Sequence, residues 1–197
     1  MRKILLLICL TFLISGKSFG LNIGHDLIDR NHLDGWNSFS IVDTSLQFDT
    51  GGYITDWNIY AQDTGDIYLQ IFENLSGDIY KLIDSYAYTV GSTGPITVNL
   101  NSSKMKFNAG DYIGWTFDDN SIIGHNKTGG FVDWPSAAGI KITNPGQTLE
   151  FGGAGGSRTY SISADYQPVP EPTTWLLFGT GILGLLGYGR KKFFKKL

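Results

Sequence analysis

The sequence predicts an all-β protein: a single β-sandwich domain carried between an N-terminal signal peptide and a C-terminal transmembrane helix. Three observations lead there. Apolar residues between 38 and 166 recur with a period of two in run after run, and no apolar stripe at helical spacing interrupts them. Turns rich in Gly, Asn and Asp separate the runs at intervals of about ten residues, the rhythm of a sandwich or barrel. The two apolar stretches that break this rhythm lie at the ends beside basic residues, which marks them as routing segments.

At the N-terminus, Arg2 and Lys3 precede an apolar run over 4–14, and Ser18-Phe19-Gly20 places small residues where a signal peptidase reads. Cleavage is expected after Gly20, although Lys17 intrudes near the cut. The competing reading, an uncleaved anchor, is disfavoured because the run is short for a hydrocarbon core of about 30 Å. Cys9 is the only cysteine and lies in that run. A lipoprotein signal needs a small residue before its cysteine, and Ile8 stands there. The mature chain is therefore expected to have no disulfide.

Residues 21–167 form the predicted domain. Strands are expected over 38–48, 52–60, 66–72, 78–90, 95–100, 112–117, 121–124, 129–134, 148–151 and 159–166. In 52–60, Tyr53, Thr55, Trp57 and Ile59 share a face and Ile54 falls out of phase. In 66–72, Ile67, Leu69 and Ile71 oppose Tyr68, Gln70 and Phe72, and in 95–100 Ile96, Val98 and Leu100 point inward. Asp63-Thr64-Gly65-Asp66 and the turn from Asn74 to Asp78 each place a glycine between runs that could pair as a hairpin. The order of these runs, from Trp57-Asn58-Ile59-Tyr60 to Ala109-Gly110-Asp111-Tyr112, resembles jelly-roll-like domains of bacterial extracellular proteins, a resemblance that bears on fold alone. Residues 152–157 read as a flexible loop and 167–172 as a short stiff stalk.

The domain carries seven Lys and Arg against seventeen Asp and Glu, a net charge of −10, where the whole chain has −3. Such a surface repels phosphates, so nucleic acid is not an expected partner; neutral glycans, cations and basic surfaces remain. No cysteine, Gly-x-Ser-x-Gly elbow or His-Glu-x-x-His helix is available, and His25 and His32 read as surface residues of an irregular segment. Glu73 and Glu150 are the only glutamates of the domain, so a glycosidase pair would draw on its aspartates. No catalytic residue is assigned. The candidate cation ligands are Asp118, Asp119 and Asn120, three oxygen-bearing side chains in a row, with Asp133 from a neighbouring loop; calcium suits them best. Trp57 and Trp115 sit in alternating strands and belong in the core. Trp36 and Trp134, beside Gly35 and Pro135, are the candidate platforms for stacking sugars.

The C-terminal tail, 168–197, has three parts. Val169, Pro170, Glu171 and Pro172 cannot lie inside a helix or sheet, because two prolines remove donors and fix φ. Residues 173–189 form the expected transmembrane helix, with Trp175 and Tyr188 at the headgroup levels. The basic tail 190–197 follows, beginning with Arg190, Lys191 and Lys192, and its charge places it in the cytoplasm. A Pro-Glu-Pro motif, one apolar helix and a terminal basic cluster resemble the PEP-CTERM sorting domain of Gram-negative bacteria. The resemblance implies recognition of Val169 to Pro172 by exosortase, a membrane protease, with Arg190, Lys191 and Lys192 as stop signal. It also implies a place where exopolysaccharide and biofilm matrix are made.

The expectation is thus an exported, non-enzymatic protein with no required cofactor, anchored in the inner membrane as a precursor and then sorted to the envelope or exterior. The alternatives are a lectin-like glycan-binding module, with calcium assisting, and a carbohydrate-active hydrolase.

Overall fold

The computed structural model describes residues 20–152, 155–169 and 179–181. Outside them lie residues 1–19 of the predicted signal peptide with Cys9, Pro170, Glu171 and Pro172 of the motif, the predicted helix 173–189 except 179–181, and Arg190, Lys191 and Lys192. Gly179, Thr180 and Gly181 are helical. Among the described residues no helix is long and apolar enough to cross a membrane.

Two antiparallel sheets face one another, as the period of two requires when one side of each strand must leave water. The first contains β1 (Leu21–Gly24), β12 (Ile162–Pro168), β3 (Gly52–Ala61) and β6 (Gly94–Asn99) in that order, with β7 (Met105–Phe107) extending it along β3. The second runs β10 (Thr148–Glu150), β5 (Ile79–Val90), β4 (Gly65–Ser76), β8 (Tyr112–Phe117), β2 (Ser40–Gln47), β9 (His125–Asp133) and β11 (Gly156–Tyr160). Trp57, Ile59 and Ile162 of the first sheet pack with Ile41, Leu69, Ile71 and Trp115 of the second in one core cluster.

Several elements depart from the alternation. Asp165 pairs with Asp56 but Tyr166 pairs with Ile54, so Thr55 is an extra residue in β3. This bulge reverses the phase: Ile54 is fully buried with Trp57 and Ile59, whereas Tyr53 and Thr55 are half-buried. The run 159–166 is two strands in different sheets, bent at Ser161. Residues 121–124 form no strand and contribute a single bridge, Ile123 to Ala61. β3 and β4 also lie in different sheets, so the turn at Gly65 (φ 143°) is a crossover; the hairpin is β4–β5, closed at Gly77 (φ 52°). Gln167 and Pro168 belong to β12, and the Val169 N–H donates to the Gly51 carbonyl at 3.0 Å. The first two residues of the expected stalk therefore belong to the sheet, and Pro170 to Pro172 lie outside the described residues.

The outer face of the second sheet is also covered. Gln70 and Phe72, on the side of β4 away from the main core, are fully buried, and Phe72 joins Val42, Tyr80, Leu82, Ile142 and Phe151 in a second cluster. The segment 135–147 lies across it as a strap. The Gly139 N–H donates to the Asn37 carbonyl (3.2 Å), and Leu82 donates to Gln147 (2.9 Å).

Candidate functional site

The loop between β1 and β2 builds one end of the sandwich. It is held by backbone bonds: the His125 N–H donates to the His32 carbonyl at 2.7 Å, and the Ser38 N–H to Asp119 at 2.9 Å. Ser38 has a φ of 61°, an uncommon conformation for a residue other than glycine, and its hydroxyl donates to the Asp118 carbonyl at 2.5 Å. The chain between these ties carries Asp34, Gly35 and Trp36 across the ends of β9 and β11.

Trp134 follows β9 and bridges Gly152, and Arg158 projects from β11. Together these residues enclose a cleft of about 520 Å³ lined by Asp34, Trp36, Phe39, Trp134, Ser136 and Arg158. The two tryptophans singled out by their flanking residues thus share one site. Trp36 is 37 % exposed and meets Phe39 edge-on, with centroids 5.8 Å apart. Trp134 is half-buried, and the Arg158 guanidinium carbon lies 4.2 Å from its ring centroid. This cation–π contact fixes both side chains.

Asp34 organises the floor. Its carboxylate accepts from Arg158 Nη1 and from the Tyr160 hydroxyl at 2.7 Å, and its side chain is 5 % exposed. Burial, reinforced by the charge of Asp34, holds the Tyr160 phenol well above its ordinary pKa. Burial alone would lower the Arg158 pKa, but Tyr160 and Asp34 outweigh it and raise it. Behind them His125 is buried, packed 5.1 Å from Tyr160 and 5.8 Å from His32. Its Nδ1 stands 3.8 Å from Asp34, beyond hydrogen-bond reach, and neither ring nitrogen has a partner. Burial lowers its pKa, and Asp34 opposes the shift. Arg158 and Tyr160 carry no signal in the sequence, because the residue that gives them a role lies more than 120 positions away.

The four candidate cation ligands do not converge. Asp118 pairs with Lys141, and Asn120 donates to Asp63 at 2.7 Å. Asp133 registers with Val42, whereas Asp118 sits beside Ser38, about 13 Å away at the usual rise per strand residue. Asp133 instead accepts from Tyr80 at 3.4 Å, and burial, with the nearby charge of Asp78, raises its pKa. Among the described residues no three His, Cys, Asp or Glu side chains gather closely enough to hold a metal ion. The histidines also differ from expectation in part. His32 is exposed, but His25 is half-buried and 3.0 Å from the buried Asp43 carboxylate.

The tail leaves from the other end of the sandwich. Pro168 pairs with Gly52, and beside them Phe48 stacks on Phe107 at 3.7 Å while Tyr166 meets both edge-on at 5.3 Å. Phe39, at the cleft, and Phe48, at the tail, flank the two ends of β2 and face Phe117 and Asp111 of the neighbouring segment, which places the cleft roughly 20 Å from the exit.

Residues 168–192 match the family described as a PEP-CTERM protein-sorting motif. The chain therefore carries an exosortase-type sorting signal, which implies export with exosortase as the processing partner, and the match begins at the last residue of β12. Neither a curated relative nor a solved structure matches the chain.

Proposed function

We propose that this chain is a non-enzymatic protein, sorted by an exosortase-type membrane protease to the cell envelope or extracellular matrix, where it associates with exopolysaccharide. The observation that carries the reading is the sorting motif at 168–192, set directly behind the last strand of a domain with its own core. In this reading the helix 173–189 holds the precursor in the inner membrane, with Pro170 to Pro172 outside and Arg190 to Lys192 inside. The non-enzymatic part is supported by the cleft's chemistry. Among the described residues its one carboxylate, Asp34, is engaged by Arg158 and Tyr160, and no hydroxyl is bonded to His125 for it to deprotonate. Intact mass from cells with and without the protease tests the sorting. The wild type is expected to lose its tail near the motif, and a full-length membrane-bound form should accumulate without the protease. An uncleaved tail in wild-type cells overturns the reading, and turnover of a polysaccharide by the chain overturns its non-enzymatic part.

One observation favours the lectin-like form of this reading: Trp36 and Trp134 share a cleft with a polar edge. Aromatic faces that receive the apolar side of a sugar, beside donors for its hydroxyls, are the general means of holding a glycan.

A further inference from the structure

Resting on that lectin-like reading, we propose that the cleft selects neutral polysaccharide over acidic polysaccharide. Among the described residues Arg158 is the only cation lining it, and its charge is already matched by the nearly buried Asp34. An arriving uronate carboxylate therefore meets a guanidinium whose charge is already paired, and the donors left on it offset only part of the hydration it loses. The net charge of −10 on the domain repels a polyanion before contact.

A neutral sugar meets the opposite balance. Both hydrogen bonds of Arg158 leave from Nη1, so Nε and Nη2 remain as donors for hydroxyl and ring oxygens. The exposed Ser136 adds a hydroxyl at the rim. Because Arg158 already covers one face of Trp134, Trp36 is the open platform, held in place by Phe39. The volume of about 520 Å³ lies within the range of small-molecule sites, roughly 300–1,000 Å³.

Isothermal titration calorimetry on the full chain in detergent micelles tests this, with dextran and galactomannan as neutral probes and alginate and polygalacturonate as acidic ones. The neutral probes should bind about tenfold more tightly than the acidic ones. Trp36→Ala should weaken neutral binding about tenfold, and Trp36→Tyr, which keeps a ring, by no more than about threefold. Asp34→Asn frees the Arg158 charge and should raise the ratio of alginate to dextran affinity about tenfold. Near-ultraviolet dichroism reports whether each variant is folded. If Asp34→Asn is not, Arg158→Gln replaces it, with about fivefold weaker dextran binding and no gain for alginate expected. Acidic probes that bind the wild type as tightly as neutral ones, with Trp36→Ala abolishing both, overturn the selectivity and leave the glycan reading standing. Binding unchanged by Trp36→Ala overturns the site. No heat from any of the four probes overturns the lectin-like reading itself.

Discussion

Replacing Gln70 by Leu should loosen the strap that carries Ser136 to the cleft. Gln70 is fully buried on the outer face of the second sheet, where four polar groups close a ring. Its Nε2 donates to the Ile142 carbonyl (2.8 Å), and its Oε1 accepts from the Thr116 hydroxyl (2.7 Å). That hydroxyl lies 2.6 Å from the Ser40 hydroxyl, which accepts from the Ile142 N–H (3.0 Å). Leucine keeps the volume but strands the Ile142 carbonyl, whose remaining contact is the marginal 3.4 Å approach of Thr116. A stranded buried carbonyl costs about 1–3 kcal/mol, and the loss of the Thr116 bond adds ~1 kcal/mol. The added apolar burial offsets roughly 1 kcal/mol. The expected net loss is ~2 kcal/mol, read from urea unfolding of the full chain. Hydrogen exchange should quicken in 135–147 more than in β4 and β8, because the strap loses its central tie. A loss below about 0.5 kcal/mol, or exchange unchanged in the strap, would refute the reasoning. The double variant Gln70→Leu with Thr116→Val checks it further. Removing both partners leaves fewer stranded groups, so the combined loss should fall short of the sum of the two singles.

Two other perturbations follow from the same structure. His125 is buried with its pKa lowered, so the unfolded chain takes up a proton as pH falls below 6.5 while the folded chain does not. Protonation therefore favours unfolding, and the stability His125 contributes above that pH is lost progressively below it. Asp111 and Asp133, raised by burial, act in the opposite sense at lower pH. His125→Phe should flatten the fall in urea midpoint between about pH 7.5 and about pH 5.5, and parallel curves for the two proteins would sink the assignment. At Gly114, in the central strand β8, a Cβ would stand 2.4 Å from the Ile41 carbonyl oxygen and 2.6 Å from the Phe72 ring. Gly114→Ala should cost ~3 kcal/mol in a denaturant titration, and a cost under about 1 kcal/mol would mean that the sheet yields there.

Strand identity was readable wherever one face of a strand is solvated and the period of two survives, as in β6 with Val98 inward and Thr97 and Asn99 outward. It was not readable where one residue changes the phase. Thr55 as a bulge and Ser161 as a corner each shift or redirect everything after them, and nothing in their chemistry marks them out. The covered outer face was hidden for another reason. Ser40, Gln70 and Thr116 look like solvent-facing residues until the strap supplies partners for them. For the cleft, Trp36 and Trp134 could be found because glycine and proline beside an aromatic imply loop. Asp34, Arg158 and Tyr160 become a unit only through pairings that local sequence does not encode.

The corner at Ser161 does more than join two sheets. By carrying the chain from β11 to β12 it sets Arg158 and Tyr160 on the cleft side, then sends the same segment down the first sheet to Pro168, where the sorting motif begins. β12 lies between β1 and β3, and the Val169 N–H is bonded to Gly51, so the exit is fixed to the sheet. In the proposed reading, whatever holds the tail meets the domain at the end that carries Phe48, Phe107 and Tyr166. The end with Trp36 is turned the other way. A docking cleft beside the anchor would compete with the surface to which the domain is fixed. If the cleft binds glycan and the tail anchors the domain, as proposed, their placement at opposite ends of β2 removes that competition.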